Sequence, residues 1–157
     1  MPSYYRNHGG FLIAAAIDKY VFVAVTRPFR DGIFLKYSSQ EEVTQVADVR
    51  HPLIREALTL LDLDAPKVGI ASLTDIPAGG TGLGSSGSFT TALLKALHTH
   101  YRRPLPQNRT AELACHIEID RLGEPVGKQD QYIAAYGGLT CFTFHPDETV
   151  TVEPLAI

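Results

Sequence analysis

The run from Pro77 to Ser88 constrains the fold of this chain more than any other stretch. It holds five glycines and three serines in twelve residues. A strand-like apolar run over 67–73 precedes it, and a segment with apolar residues at helical spacing follows it. Glycines let a backbone turn sharply and approach a ligand, and a helix start adds unpaired N–H donors and a positive dipole end. The pattern predicts a strand, a phosphate-binding loop and a helix.

Two better-known glycine motifs fit this run less well. Gly79 and Gly84 have the spacing of a P-loop, but serines stand where that motif has its lysine and hydroxyl residue. Segment 82–87 formally matches the dinucleotide motif G-x-G-x-x-G. That motif needs an acid about 20 residues further on, at a strand end, whereas 101–104 reads Tyr-Arg-Arg-Pro directly after a helix. The loop therefore favours another kind of nucleotide or phosphorylated-metabolite site.

The composition is that of an ordinary soluble domain. The 157 residues suffice for one domain with a real core, and 45% of them are hydrophobic and 20% charged. A net charge of −3 without a basic run argues against nucleic acid as a partner. The chain shows no apolar run of membrane-span length and no signal peptide. Cys115 and Cys141 stand far apart, which favours two buried, reduced thiols in a cytoplasmic protein.

The hydrophobic pattern predicts strand pairs first, then helices, then strands again. Strands are expected at 11–16, 20–26, 33–37, 42–47, 67–73, 139–144 and 149–153, the first four as two pairs. Helices are expected at 51–61, after the loop, at 109–122 behind a cap at Asn108, and at 128–136. The helix after the loop carries an apolar stripe, formed by Phe89, Ala92, Leu93, Ala96 and Leu97. This order indicates the α+β class, a mixed sheet packed with helices.

Glu118 is the most telling single acid. Helical spacing puts it on one face with Ala111, Ala114, Cys115 and Leu122. A carboxylate on an apolar stripe is expensive to bury unless it is paired or bound to a metal. From the residues alone, a metal or catalytic role and a structural ion pair or wet cleft edge both stay open.

Four other polar residues also have two interpretations each. Ser85 and Ser86 suit either a helix cap or a hydroxyl bound to Mg²⁺ or phosphate. Asp130 suits either a cap or a group that orients and deprotonates an acceptor hydroxyl. Lys128 is either a solvated surface lysine or a charge that lowers the pKa of Asp130 or neutralises phosphate.

Several stretches carry a family resemblance. Segment 77–88, Pro-Ala-Gly-Gly-Thr-Gly-Leu-Gly-Ser-Ser-Gly-Ser, resembles the second motif of the GHMP kinases. Segment 114–138 resembles the sugar-kinase branch of that superfamily that acts on D-glycero-D-manno-heptose 7-phosphate, as do 2–10 and 16–21. The resemblance covers essentially the whole chain. It implies the N-terminal GHMP kinase domain, whose fold is similar to the second domain of ribosomal protein S5.

The resemblance also implies roles for particular residues. The loop residues implied to hold the phosphates of ATP are Pro77, Gly79, Gly80, Gly82, Leu83, Gly84, Ser85 and Ser86. Ser86 and Glu118 match positions that ligate Mg²⁺, and Asp130 matches the aspartate taken as the catalytic base. Lys128 is the second catalytic candidate. The implied partners are ATP and a sugar phosphate, without nucleic acid or a membrane.

The implied reaction moves the γ-phosphoryl group of ATP to the anomeric hydroxyl of D-glycero-D-manno-heptose 7-phosphate, with Mg²⁺. Two alternatives stay open. One is a related kinase for another sugar or small alcohol. The other is an inactive fragment or pseudokinase domain, against which the presence of Ser86, Glu118 and Asp130 argues.

The chain departs from the family pattern at both ends. Family members begin with a strand and a glycine-rich turn before the residues that match Pro2 and Ser3, and a second domain of comparable size follows the position of Ile157. We therefore expect residues 1–157 to form an incomplete N-terminal, ATP-binding domain without its first strand and without the C-terminal domain. A sheet lacking a strand presents unpaired N–H and C=O groups, so we also expect self-association through the exposed edge.

Overall fold

The structure, a computed structural model, describes residues 2–63, 66–76 and 82–156. Its helices are α1 (Pro2–His8), α2 (Pro52–Leu60), α3 (Ser85–His100), α4 (Gln107–Cys115) and α5 (Gln129–Tyr136). Its strands are β1 (Gly10–Ala15), β2 (Val21–Thr26), β3 (Ile33–Lys36), β4 (Gln40–Val43), β5 (Val68–Thr74), β6 (Leu139–Phe144) and β7 (Val150–Pro154). A 3₁₀ turn covers Val46–Asp48, and a π-helical turn, His116–Arg121, directly continues α4.

Within the described residues the strands form two sheets. One is antiparallel, in the order β1-β6-β7, and the other has the order β2-β5-β3-β4 with a parallel pair, β3 and β5. The α+β class is confirmed, but the prediction that the first two strands pair was wrong. Leu12 and Ala14 on β1 pack into one core and Val23 and Val25 on β2 into another, so the two strands join different sheets.

Each sheet covers its own apolar core. The first lies under the four-stranded sheet, with buried residues Ile33, Leu35, Val49, Ile54, Ala57, Leu58, Leu61, Val68, Ile70, Leu93, Leu94, Leu97, Ala114 and Ile117. The second lies under the three-stranded sheet, with buried residues Tyr5, Ala111, Cys115, Tyr132, Phe142 and Phe144. Helix α4 and its π-helical turn supply residues to both cores. They therefore form the boundary between the two cores, which we call the seam.

Three local predictions need correction. The strand expected at 42–47 is the shorter β4, and a 3₁₀ turn follows it. Asn108 lies inside α4, because Pro106 is the residue that precedes this helix. Helix α1 was not predicted, since its seven residues carry little apolar periodicity. The prediction of two buried, free cysteines, Cys115 and Cys141, is confirmed.

The buried face of α3 is rotated from the predicted stripe. Leu93 and Leu97 are buried as predicted, but Phe89, Ala92 and Ala96 are only half-buried. The remaining buried positions are Gly87, Thr90, Thr91 and Leu94. The Thr90 hydroxyl bonds to the carbonyl one turn back, Ser86 O, at 2.9 Å, whereas Thr91 Oγ1 has no hydrogen-bond partner among the described residues. At Gly87 this buried face of α3 meets α5.

Two strand edges bear on the predicted self-association. Strands β1 and β2 each lie at one edge of their sheet. Ile13 on β1 and Phe22 on β2 are more than half exposed. Exposed apolar side chains on edge strands favour association, which stays a prediction for this chain. Separately, none of the helices in the described ranges is long and apolar enough to cross a membrane.

A cluster of side chains ties α1 to the hairpin of β6 and β7 and to the start of α5. At its centre Glu148, in the hairpin turn, accepts hydrogen bonds from Tyr5 Oη at 3.1 Å and from Lys128 Nζ at 2.6 Å, with Arg6 as a third partner. Lys128 Nζ also lies 5.1 Å from the centre of the Tyr5 ring. Partial burial opposes ionisation of Glu148, but the hydrogen bonds from Lys128 and Arg6 lower its pKa to about 2.

This cluster predicts a loss of stability in acid. Because the folded pKa of Glu148 lies below its ordinary value of 4.5, its carboxylate stabilises the fold fully above that pH, and the contribution is lost as the pH falls towards about 2. Glu148→Gln should cost about 1 kcal/mol at neutral pH, the upper end for partly exposed ion pairs. It should also flatten the acid decline. Urea unfolding across this pH range measures both, with Glu153→Gln on β7 as control, and an unchanged acid decline contradicts the prediction.

Candidate functional site

The site begins where the glycine-rich loop becomes helix α3. Gly84 precedes the helix with φ 68° and ψ 30°, a left-handed conformation that glycine adopts without steric cost. Because Gly84 is the capping position, Ser85 and Ser86 are the first two residues of the helix and not its caps. The first N–H groups of a helix have no partner within it and carry its positive dipole end. This end of α3 is therefore suited to an anion such as a phosphate.

Only part of the predicted phosphate loop lies in the described ranges. Gly82, with φ 65°, and Leu83 lead into α3. A Cβ built on Gly82 would meet no described atom within 4 Å. Pro77, Gly79 and Gly80 lie outside the described residues, and their phosphate contacts stay predictions.

Helix α5 lies directly against the start of α3. A Cβ built on Gly84 would lie 3.1 Å from Asp130 Cγ. One built on Gly87 would lie 2.9 Å from Asp130 Cβ, closer than real Cβ atoms come, and 3.1 Å from the backbone nitrogen of Gln131. The missing side chains at these two glycines therefore allow Asp130 to approach the loop.

Glu118 is buried, which argues against the wet cleft edge that its position on an apolar helix face had left open. Its side chain is 1% exposed, and Ala111, Ala114 and Cys115 are buried on the same face. Glu118 lies within the π-helical turn, whose wider loop is closed by a hydrogen bond from Leu122 N to the Ile117 carbonyl at 3.0 Å. Single π-helical turns inside α-helices frequently mark functional sites.

Two side chains hold the Glu118 carboxylate. Gln131 Nε2 donates to Oε2 at 2.5 Å, and the Ser86 hydroxyl also hydrogen-bonds to this group. Burial raises the pKa of Glu118, the two hydrogen bonds oppose that rise, and the charges of Asp130 and Glu124 add to it. Thus α3, the π-helical turn and α5 each contribute one polar side chain to this contact, in which Glu118 and Gln131 are buried and Ser86 is exposed.

The oxygen atoms at this point fit a magnesium ion. Mg²⁺ takes oxygen ligands, commonly one or two protein carboxylates, with water and substrate phosphates completing its shell. Ser86 and Glu118 supply a hydroxyl and a carboxylate, and Asp130 adds negative charge close by. No cluster of three or more His, Cys, Asp or Glu among the described residues could hold a metal ion. A cation here would therefore need the phosphates of a bound nucleotide as further ligands.

Asp130 faces a cleft between β1, α3 and α5. The cleft has a volume of about 740 Å³, within the usual range for small-molecule sites, and Ser88, Lys95 and Gln129 line it together with Asp130. The residue preceding α5 is Lys128, so Asp130 is the second residue of the helix and does not cap it. A half-buried carboxylate therefore borders both the loop and a cavity of substrate size.

Lys128 has partners of its own. Its side chain is 11% exposed, and its Nζ atom binds the carboxylate of Glu148 and, at 3.0 Å, the Glu148 carbonyl. The structure thus brings Ser86, Glu118 and Asp130 together and gives Lys128 a place in the Glu148 cluster. A catalytic role for Lys128 stays a prediction.

Sequence reasoning missed Gln131. Its side chain is 1% exposed and contacts Glu118. The one signal that could have found it is its position directly after Asp130, within the segment that carries the family resemblance. The short α5 has no clear apolar face, however, and its buried side was therefore not readable from the pattern.

Comparison with known proteins identifies relatives of this chain. The family model described as GHMP kinases N terminal domain matches residues 51–138. A D-glycero-alpha-D-manno-heptose 7-phosphate kinase from Campylobacter jejuni is 38% identical over 84 residues, 54% of this chain. A mevalonate kinase from Methanothermobacter thermautotrophicus is 35% identical over 137 residues, 81% of this chain.

A solved structure matches nearly the whole chain. The crystal structure of a D-glycero-D-manno-heptose 1-phosphate kinase from Bacteriodes thetaiotaomicron superposes on 98% of this chain with a TM-score of 0.89 and 28% identity. This chain covers 54% of that protein, and its alignments cover 24% of the Campylobacter jejuni kinase and 41% of the mevalonate kinase. It therefore spans about half or less of each relative's length.

The contact at Gly87 predicts that Gly87→Ala destabilises the fold. Alanine is better than glycine inside a helix by about 0.5–1 kcal/mol, but forcing a methyl into a filled space costs about 1–3 kcal/mol. The neighbours here are Asp130 Cβ and backbone atoms of α5, which cannot swing away, so the cost should dominate. Chemical unfolding followed by circular dichroism measures it. Gly10→Ala is the control, because its Cβ would meet Phe144 at an ordinary 3.6 Å. Equal stability of both variants contradicts the tight contact.

Proposed function

Because the chain belongs to the GHMP kinase family, we propose that residues 1–157 form the N-terminal, ATP-binding domain of an ATP-dependent small-molecule kinase. The observation that carries this proposal is the meeting of Ser86, Glu118 and Asp130 at the start of α3. Phosphoryl transfer depends on positioning and charge stabilisation more than on covalent chemistry by the protein. A helix start, a metal-binding carboxylate and a second carboxylate at the cleft supply those functions.

The loop and the first turn of α3 bind the phosphates of ATP. Gly82 and Gly84 have left-handed backbones, which turn the chain sharply into α3 with the N–H groups of its first turn towards the phosphate oxygens. The unpaired N–H groups at the start of the helix donate to the same oxygens. The net effect is a site that recognises phosphate by backbone geometry and needs no P-loop lysine.

Ser86 and Glu118 hold the Mg²⁺. When bound, the ion neutralises charge on the phosphate oxygens of the nucleotide. Burial of the Glu118 carboxylate strengthens its attraction for a cation.

Asp130 orients the acceptor and takes its proton. A hydroxyl group of the acceptor, bound in the cleft, donates a hydrogen bond to the Asp130 carboxylate. As its oxygen forms a bond to the γ-phosphorus, the bond from that phosphorus to the β–γ bridging oxygen breaks and ADP leaves. The hydroxyl proton passes to Asp130.

We propose D-glycero-D-manno-heptose 7-phosphate as the acceptor, phosphorylated at its anomeric hydroxyl. Two observations support it. Segment 114–138, which contains Glu118 and Asp130, resembles the heptose-phosphate branch, and the Campylobacter jejuni heptose 7-phosphate kinase is 38% identical to part of this chain. The cleft volume of about 740 Å³ also accommodates a sugar phosphate.

A second candidate is a related kinase that acts on another sugar or small alcohol. The mevalonate kinase from Methanothermobacter thermautotrophicus aligns with 81% of this chain, a longer stretch than the heptose 7-phosphate kinase covers. The same loop and carboxylates serve any hydroxyl acceptor. The walls of the cleft would then set the choice of substrate.

A direct assay distinguishes these candidates. Coupled measurement of ADP release is made on the full-length gene product with heptose 7-phosphate and with mevalonate, and calorimetry measures Mg-ATP binding separately. Turnover of the heptose phosphate alone supports the first candidate, and turnover of mevalonate alone supports the second. A folded protein that takes up no Mg-ATP at millimolar concentration overturns the kinase proposal itself.

Asp130→Asn tests the role of the base. The amide keeps the shape that packs against Gly84 and Gly87 but cannot take a proton. We expect kcat to fall by about two to four powers of ten, the usual range for loss of a general base, while ATP affinity barely moves. Asp147→Asn, in the hairpin turn, is the matched control. A kcat close to that of the wild type removes Asp130 from the mechanism.

Glu118→Gln tests the metal ligand. The amide oxygen can still accept from Gln131 and Ser86, but it lacks the charge that a hard cation needs. We expect a raised Mg²⁺ requirement with little loss of stability, because a buried neutral amide costs less than a buried carboxylate. Activity as a function of Mg²⁺ and the melting temperature measure the two effects. Unchanged Mg²⁺ dependence with a large drop in melting temperature instead marks Glu118 as a structural residue.

A further inference from the structure

Gln131 is a buried polar residue next to the proposed base. We propose that Gln131 is a positioning residue, which fixes the orientation of the Glu118 carboxylate for the divalent cation and couples it to Asp130. This inference rests on the proposed function and adds a residue to it. It assigns no contact between Gln131 and the substrate or the metal.

The geometry leaves the Gln131 amide with one described partner. Nε2 lies 2.5 Å from Glu118 Oε2, and Oε1 has no hydrogen-bond partner in the part of the chain that the structure describes. An ionised carboxylate only accepts hydrogen bonds, so the amide must present its NH₂ group to Glu118. The contact therefore fixes the direction in which Glu118 Oε2 points relative to α5.

A packing role alone does not account for a glutamine here. The side chain is 1% exposed and has one polar atom satisfied and one without a described partner. Burying such an amide costs free energy that an apolar side chain of the same length would not cost. The hydrogen bond to Glu118 offsets part of that cost. Residues that orient a metal ligand in this way affect metal affinity without touching the metal.

The position of Gln131 in α5 supplies the coupling. Adjacent residues of a helix point about 100° apart, so Asp130 faces the cleft while Gln131 faces the buried Glu118. Gly87 holds the backbone of both residues against α3. The distance from the base to the metal ligand is thus set by one peptide unit and one hydrogen bond.

Gln131→Met provides the test, because it keeps the length of the side chain and removes the donor. The full-length gene product is titrated with Mn²⁺ in the presence of ADP, and bound Mn²⁺ is measured by electron paramagnetic resonance. We expect Mn²⁺ affinity to fall by about tenfold to a hundredfold, the usual cost of losing a residue that orients a ligand. Should Gln131→Met not fold, Gln131→Asn, which retracts the amide by one methylene, is expected to show the same loss.

Thr140→Val is the matched structural control. Thr140 is also 1% exposed, and its hydroxyl bonds to the Gly137 carbonyl at 3.0 Å, away from Glu118. The Thr140→Val substitution should lower the free energy of unfolding and leave the Mn²⁺ affinity unchanged. If Gln131→Met behaves like Thr140→Val, the positioning role is overturned.

Glu118→Gln separates this inference from the proposed function. Weaker Mn²⁺ binding in Glu118→Gln together with wild-type binding in Gln131→Met overturns only the positioning role. Wild-type Mn²⁺ binding in Glu118→Gln overturns the metal site, and the positioning role with it. Weaker binding in both variants, with Thr140→Val unchanged, supports the inference.

Discussion

The close approach of helices α3 and α5 at Gly87 is the contact on which the site depends. An ideal Cβ there would lie 2.9 Å from Asp130 Cβ, so only a residue without a side chain permits this spacing. Helix α3 carries the end of the loop and Ser86, and α5 carries Asp130 and Gln131. Because the backbone of α3 at Gly87 packs directly against Asp130 of α5, a small change in the spacing of the two helices would move the polar groups of both.

The buried carboxylate of Glu118 is stable where it lies because the seam between the two cores fixes its backbone. Ala114 and Ile117 pack into one core, while Ala111 and Cys115 pack into the other. Desolvation raises the pKa of Glu118, and the hydrogen bonds from Gln131 and Ser86 only partly offset this cost. The two cores therefore hold Glu118 in place although burial disfavours its charged form.

The start of α5 is held from a second side by the Glu148 cluster. Lys128 precedes the helix, and its ammonium group binds Glu148 in the hairpin of β6 and β7 and lies over the Tyr5 ring of α1. The strong preference of Glu148 for its ionised form follows from these contacts. Helix α5 thus packs against α3 on one side and is bound to the hairpin of the three-stranded sheet on the other. These contacts limit how far Asp130 can move relative to the loop.

Local patterns in the sequence determined the α+β class, the glycine-rich turn into α3 and the apolar helix face on which Glu118 lies, because glycine conformation and helical spacing act between near neighbours. The tertiary structure alone decided that β1 pairs with β6 and not with β2, that Gln131 is buried against Glu118, and that Lys128 binds Glu148. The residues of each such pair lie at least 13 positions apart along the chain, and only the packing of separate elements brings them together. A periodic pattern shows which face of an element is apolar, but it does not show which other element that face will meet.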